Sequence, residues 1–270
     1  MTDEFVVIHC HECSGRYSAI GGLMRALKKL IATHQSHLRK HELLTLLRTT
    51  NSVTTLANVA RALAWWPMVF QDVLRLNTEW VRGTELERFA EYHRVEDSGH
   101  DRWYLDDLRV LGVTEPGLDE LFSGGYQPIR DACYELIAEI HREQTPAQRV
   151  ALLLALEPTG HVFFETISSA VERVCPSLPL RYFARFHLGV EKDHDLFTES
   201  TDAELDRLVL SDEERAQTEA SVARIYRIFS DAFSYLAEKG NEQPDQMTSV
   251  IRELGGADTN AAPVRDVRAS

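Results

Sequence analysis

The stretch His187-Leu-Gly-Val-Glu191-Lys-Asp-His194 brings two imidazoles and a carboxylate together in the sequence. On an α-helix, residues three, four and seven positions apart share one face, so these three side chains are expected to point the same way. The apolar run at residues 178–186 predicts that the same helix begins well before His187. Because an unpaired carboxylate is costly to bury, this face favours a divalent cation with nitrogen and oxygen ligands. A surface helix with half-buried imidazoles is the alternative.

A second group of acids and imidazoles lies upstream, in a segment whose periodicity predicts one helix over residues 86–108. His100 shares one helical face with three residues before it in the sequence: Asp97 is three positions back, Glu96 four and His93 seven. Gly99 inside this helix costs about 1 kcal/mol relative to Ala and indicates a close backbone approach or a local irregularity. We expect His100 to bind a metal with Asp97 or His93, and Glu96 competes on the same face. Since one helical turn rises about 5.4 Å, His93 is placed to reach only a second ion.

A third acid, Glu157, follows directly after the apolar residues 150–156, so we expect it to be buried in a central helix. Pro158 frees a backbone carbonyl and predicts a widened turn beside this carboxylate. The alternative is that a new helix starts at Pro158, leaving Glu157 in a gap. His161 and Glu165 share the face of Glu157 and are weaker metal or supporting candidates.

The period of apolar residues is helical almost throughout, from Tyr17 to Leu236, and predicts an all-α fold. We expect an N-terminal arm at residues 1–14 with at most a short strand, a single domain at 15–238, and a mobile tail at 239–270. Two helices are predicted from Pro128 and from Pro146, and Pro67 predicts a kink or break in a third.

Composition excludes several classes of partner. A formal charge of −13 over 270 residues argues against nucleic acid and against an anionic membrane surface. Neither a run long enough to span a bilayer nor a basic segment ahead of an apolar one is evident, so a cytoplasmic location is expected. Cys10 and Cys13 form half a zinc or redox motif whose other half is missing, because Cys133 and Cys175 are isolated.

These motifs together resemble the haem-oxygenase-like dimetal oxidases and oxygenases, which share their fold with the TenA thiaminases and the pyrroloquinoline-quinone synthase. His187, Glu191 and His194 match the third-helix motif of that family, Glu157 matches its central acid, and His100 its upstream histidine. The chain departs from the family where members often carry a Glu, because it has His93 there.

The resemblance implies a haem-oxygenase-like bundle of about seven core helices that holds two Fe ions, or Fe and Mn, and uses O2 as co-substrate. It implies oxidation or oxygenation of a small amino-acid-like or acyl substrate, in specialised metabolism, with an external electron donor and a homodimer left open. Asp101, Asp106 and Asp193 are candidates for orienting the imidazoles. Aromatic residues suggest a partly apolar substrate pocket: Trp65, Trp66, Phe70, Trp103, Tyr104 and Phe164. Haem is a poor fit, since haem needs one axial His in an open slot. The competing hypothesis is a metal-free TenA-like hydrolase or a ligand-binding scaffold.

Overall fold

The computed structural model describes residues 20–84, 86–142, 145–193 and 210–243, and within these ranges the chain is helical with no strand. The helices are α1 (Ile20–Leu38), α2 (Glu42–Thr49), α3 (Val53–Ala62), α4 (Trp65–Val81), α5 (Glu87–Glu96), α6 (His100–Val110), α7 (Leu118–Leu121), a 3-10 turn (Gly124–Tyr126), α8 (Gln127–Arg142), α9 (Pro146–Val174), α10 (Arg185–Asp193) and α11 (Asp212–Gly240). The all-α prediction is confirmed for the described part. Cys10, Cys13, the N-terminal arm and most of the predicted tail lie outside it. None of the described helices is long and apolar enough to cross a membrane.

The two longest helices, α9 and α11, form the centre of the bundle. Each starts at a capping box, in which Thr145 pairs with Gln148 and Ser211 with Glu214, so the first free N–H groups are satisfied. Helix α9 packs against α1, α2, α4, α5, α10 and α11. Its residues 151–156 are all buried, as expected of a helix that is apolar all round. Neighbouring helices therefore surround the middle of α9. The central position predicted for this helix is confirmed, but Glu157 itself is only partly buried, with 26 % of its side chain exposed.

Two of the predicted proline effects have a definite outcome. The chain breaks between α3 and α4 at Leu63 and Ala64, and Pro67 occupies the first turn of α4, where a missing N–H is tolerated. The predicted break is confirmed and lies just before the proline. Pro158, in contrast, lies inside a continuous α9, so the alternative in which a new helix starts there is wrong.

The apolar run before His187 is not the first half of a helix, as its pattern had predicted. Helix α10 begins only at Arg185, and the preceding residues form an irregular connection with buried side chains. Pro179 disfavours helical backbone at the residue before it. The carboxylate of Asp107 in α6 accepts hydrogen bonds from the N–H groups of Arg181 (2.8 Å) and Phe183 (2.9 Å), which stabilises the connection in its non-helical form.

We predict that Asp107→Ala lowers the free energy of unfolding by about 1–3 kcal/mol, because it leaves buried N–H groups without acceptors. The measurement is urea denaturation followed by circular dichroism. Asp106→Ala is the matched control, since Asp106 is exposed on the same helix and pairs with Arg109 at the surface. That control should stay within about 0.5 kcal/mol of the wild type. Equal effects of the two substitutions would contradict the role given to Asp107.

Candidate metal centre

A tight turn between α5 and α6 builds the first half of the centre. Gly99 has φ 91°, in the left-handed region that L side chains rarely adopt. A Cβ there would meet no atom within 4 Å, so backbone conformation and not space requires glycine. The single helix predicted over residues 86–108 is therefore wrong. The turn places Asp97 at its centre, between His93 of α5 and His100 of α6.

The Asp97 carboxylate contacts a different histidine with each of its oxygens. Its Oδ1 lies 2.9 Å from Nδ1 of His100, and its Oδ2 lies 2.8 Å from Nε2 of His93. Both imidazoles are buried, and the Asp97 side chain is only 14 % exposed. A carboxylate in this arrangement has the chemistry of a bridging ligand between two positive centres.

Two more side chains reach this turn from other helices. Glu157 of α9 brings Oε2 to 3.1 Å from Nε2 of His93, and His187 of α10 brings Nε2 to 3.1 Å from Nδ1 of His100. One donor atom each from Asp97, His100 and His187 lie within 4.8 Å of one another, so this group could hold a metal ion. Bonds of about 2.0–2.2 Å, as zinc forms, place the donors of one ion up to about 4.4 Å apart, so only a small contraction is needed.

Buried nitrogen atoms at the centre test whether a cation fits there. Nδ1 and Nε2 of His93 and Nε2 of His100 are buried, and none makes a well-directed hydrogen bond to the described residues. Nε2 of His93 is close to two carboxylates, yet neither approach has the angle of a hydrogen bond. An unsatisfied buried polar group costs about 1–3 kcal/mol, so these nitrogen atoms are expected to have a partner. Short distances without hydrogen-bond angles are what side chains arranged around a cation would show. Imidazole and carboxylate together suit a first-row divalent ion.

The orientation of His187 is set by the irregular connection before α10. Its Nδ1 lies 2.9 Å from the carbonyl oxygen of Tyr182, and a carbonyl can only accept, so Nδ1 carries the proton. Nε2, which faces His100, is therefore the nitrogen whose lone pair can bind a metal. Asp107 accepts hydrogen bonds from the N–H groups of Arg181 and Phe183, the two residues that flank Tyr182. The acid that supports this imidazole is therefore Asp107 and not its exposed neighbour Asp106.

A small cavity of about 50 Å³ opens against the centre and is lined by Asp97, His100, Glu157 and His187. Its apolar wall includes three of the predicted pocket residues: Trp66, Phe70 and Phe164. At roughly 10–15 Å³ for each water, the cavity has room for only a few solvent molecules or for O2. A larger substrate needs a wall side chain to move.

Three other predicted pocket residues lie elsewhere. Trp65 donates from Nε1 to the carbonyl oxygen of Leu121 (3.0 Å) and does not line the cavity. Trp103 stacks on the His100 ring at 4.5 Å, behind the centre. Tyr104 is buried and donates to the carbonyl oxygen of Ala60.

Several residues that line the cavity were not predicted from the sequence, and two of them, Gln71 and Tyr182, have polar side chains. Gln71 donates from Nε2 to the carbonyl oxygen of Asp97 (2.8 Å), and Tyr182 lines the cavity beside His187. Neither belongs to an acid or histidine motif, so the residue pattern gave no signal for them.

The weaker acid and histidine candidates do not join the cluster. Glu165 is exposed and pairs with Arg39 at 2.7 Å, because eight helical positions rotate it about 80° from Glu157. His161 and Glu96 are half-buried, and neither is among the cavity-lining residues.

Two residues of the third motif stay predictions. The backbone of Glu191 belongs to α10, but its side chain is outside the described residues, as is the whole of His194. The structure thus brings five predicted residues together: His93, Asp97, His100, Glu157 and His187. The positions of the Glu191 and His194 side chains are untested.

Strong electrostatic coupling links His93 to the two carboxylates. Burial lowers the pKa of His93, but the adjacent carboxylates of Asp97 and Glu157 outweigh burial and raise it to about 10. Burial raises the pKa of Asp97, but the close imidazoles of His100 and His93 reverse this effect and hold the pKa well below its usual range. In metal-free protein at neutral pH, protonated His93 therefore balances charge that a metal ion would otherwise balance.

We predict that metal-free protein loses stability as the pH rises above about 6.5, the pKa of an unperturbed histidine. The raised pKa of His93 in the folded state makes its contribution complete below that pH, and the contribution is lost as the pH rises through about 10. The measurement is urea denaturation in chelator from pH 6 to 10, for wild type and His93→Gln. The difference between the two should fall with a slope of at most about 1.4 kcal/mol per pH unit. A difference that does not change with pH would contradict the coupling.

Comparison with known proteins assigns no family to this architecture. No protein-family model matches the sequence, and no curated protein matches it significantly. The function of this chain is therefore inferred from the geometry of the described residues, above all from the carboxylate of Asp97 between two histidines.

Proposed function

We propose that this chain is a non-haem dimetal oxidase or oxygenase of the haem-oxygenase-like kind, with two iron ions or iron and manganese. The observation that carries the proposal is the Asp97 carboxylate, whose two oxygens face separate histidines, His100 and His93. A carboxylate that bridges two ions holds them about 3.5–4 Å apart. Asp97 could act in this way, because among the described residues it is the one acid that contacts both histidines.

The donor set separates into two groups that share Asp97. His100 and His187 would hold one ion, and His93 and Glu157 the other. The two described cysteines are buried and belong to neither group, and a set of imidazoles and carboxylates without thiolate favours iron or manganese over a structural zinc. When bound, such a centre supplies the electrons that activate O2 for oxidation of a substrate in the cavity.

The protein groups around the cavity have separate tasks. Glu157 forms part of the wall at the centre, so its carboxylate would face both the second ion and a substrate in the cavity. Trp66, Phe70 and Phe164 keep water away, which strengthens electrostatic interactions at the centre. Gln71 fixes the backbone of Asp97 and so holds the carboxylate between the histidines.

One observation favours a second candidate function, a metal-free hydrolase or binding scaffold of the same fold. His93 with a pKa raised to about 10 forms a charge-balanced group with Asp97 and Glu157 when no metal is bound. In that case Glu157 would act as a general base at the cavity wall. Metal content separates the two candidates directly.

We predict that protein produced with iron supplied binds between one and two iron or manganese ions per chain. Glu157→Gln should lose one ion, because the second donor pair would keep only one charged carboxylate, that of Asp97, to balance the ion. Glu165→Gln is the matched control on the same helix, since Glu165 faces the surface and pairs with Arg39. The measurement is elemental analysis of folded protein after dialysis.

Two results of that experiment would count against the proposal. Folded wild-type protein that retains no metal after reconstitution would favour the metal-free candidate. Equal metal content in Glu157→Gln and Glu165→Gln would remove Glu157 from the centre.

We also predict that anaerobic protein loaded with Fe(II) consumes O2 faster than the same concentration of free Fe(II) when the two are mixed with oxygenated buffer. Asp97→Asn should slow this consumption at least tenfold, because the amide is neutral and is a weak bridging ligand. The measurement uses an oxygen electrode. Asp106→Asn is the control, because Asp106 lies in α6 but is exposed and pairs with Arg109 at the surface. Unchanged consumption in Asp97→Asn would contradict a bridging role.

A further inference from the structure

A larger cavity lies between α3, α7, the 3-10 turn and the end of α11, and we call it the polar cavity. Its volume is about 260 Å³, and it shares no lining residue with the cavity at the metal centre. Pockets for drug-sized ligands measure about 300–1,000 Å³, so the polar cavity has room for a somewhat smaller molecule. Its polar lining side chains include Asn58, Arg61, Glu120, Tyr126, Tyr235 and Lys239.

The charges on the wall of the polar cavity cancel in two ion pairs. Arg61 donates to both carboxylate oxygens of Glu120, with Nη2 2.7 Å from Oε2, and Lys239 pairs with Glu242. The described wall thus holds two cations and two anions. A net anion in the cavity would lie near two carboxylates, and a net cation near a guanidinium and an ammonium. Because like charges brought together repel, the wall favours an uncharged ligand.

The two ion pairs leave hydrogen-bonding capacity for such a ligand. Four of the five guanidinium N–H groups of Arg61 have partners among the described residues, which are a backbone carbonyl, Tyr126 and the carboxylate of Glu120. The ammonium of Lys239 has two N–H groups beyond the one that it donates to Glu242, and both carboxylates keep further lone pairs. A hydroxyl group both donates and accepts, so a ligand with several hydroxyl groups matches this mixture of donors and acceptors.

The observation that points most directly to a ligand is the buried hydroxyl group of Tyr235. Tyr235 is only 4 % exposed, and its oxygen is buried without a hydrogen-bond partner among the described residues. Burial raises the pKa of Tyr235, and the nearby Tyr126 and Glu242 raise it further, so the hydroxyl stays protonated at neutral pH and needs an acceptor. A buried donor without an acceptor destabilises the fold. A ligand oxygen that accepts from Tyr235 would remove this cost.

We propose that the polar cavity is a second binding site, for an uncharged molecule that carries several hydroxyl groups and has about the size of a monosaccharide. Hydroxyl oxygens of the ligand accept hydrogen bonds from Tyr235, Arg61 and Lys239. Its hydroxyl groups donate to Glu120 and Glu242, and both ion pairs stay intact. The proposal does not depend on a metal ion, because the two cavities have no lining residue in common.

The test compares ring molecules of similar size that differ in charge. Glucose, galactose and myo-inositol are neutral, glucuronate is an anion, and glucosamine is a cation at slightly acidic pH. Each is titrated into chelator-treated full-length protein, and binding is followed by saturation-transfer NMR. We expect saturable binding of at least one neutral probe. Glucuronate and glucosamine should bind about tenfold more weakly than that probe, because each meets two like charges on the wall.

Two variants test the groups that carry the proposal. Tyr235→Phe keeps the ring and should weaken binding of the neutral probe about three- to tenfold, as for the loss of one hydrogen bond. The free variant should be at least as stable as wild type in urea denaturation, since the hydroxyl has no partner to lose. Glu242→Gln leaves two cations and one anion on the wall, so it should shift the preference several-fold towards glucuronate.

Two controls should leave binding of the neutral probe unchanged. Tyr226→Phe is the same substitution on the same helix, at a buried tyrosine that does not line the polar cavity. Asp97→Asn changes the metal centre and no group of the polar cavity.

Absence of saturable binding for all three neutral probes, as expected of a cavity that holds only water, would overturn the proposal. So would tighter binding of glucuronate than of the neutral probe in wild type, or equal affinity in wild type and Tyr235→Phe. Binding that is lost in Asp97→Asn would place the probe at the metal centre and would also contradict a second site.

Discussion

The candidate centre depends on the contact between the carboxylate of Asp97 and the two imidazoles of His93 and His100. These three residues lie within residues 93–100, around the turn between α5 and α6. The left-handed backbone at Gly99 lets both imidazoles approach the same acid. Burial makes this contact strong, because charges in a poorly solvated site interact more than they do in water. The same burial means that a charged group left without a partner would destabilise the fold by several kcal/mol. The bundle must therefore supply matching groups from α9 and α10.

The two groups, Glu157 and His187, are held in position in different ways. Glu157 lies in the middle of α9, one of the two longest helices, so its position follows from packing along the whole of that helix. His187 stands near the start of a short helix, where packing alone fixes little. Its imidazole is held through a relay in which Asp107 binds the backbone around Tyr182, and the carbonyl of Tyr182 binds Nδ1. A buried acid without any role in metal binding thus determines which imidazole nitrogen faces the cluster.

The cavities show a compromise between stability and function. A core that served stability alone would fill the space beside Gly160, since every buried methylene adds about 0.8 kcal/mol. The bundle instead leaves two neighbouring spaces that share five lining residues, with the polar one at the metal ligands and the apolar one in the interior. This polarity gradient orients any ligand with one polar and one apolar end, before specific hydrogen bonds are considered.

The sequence by itself determined the all-α class, the buried position of the chain around Glu157, and the acids and imidazoles that the bundle brings together. Those features follow from residue type and helical spacing, which describe directions around a single helix axis. Only the tertiary structure decided that the helix breaks at Gly99, that the apolar run before His187 is irregular, and that Glu165 and Trp65 face away from the cavity. The physical reason is that these outcomes depend on partners distant in sequence, such as Asp107 for the connection and Arg39 for Glu165. Spacing within one helix carries no information about which neighbour it will meet.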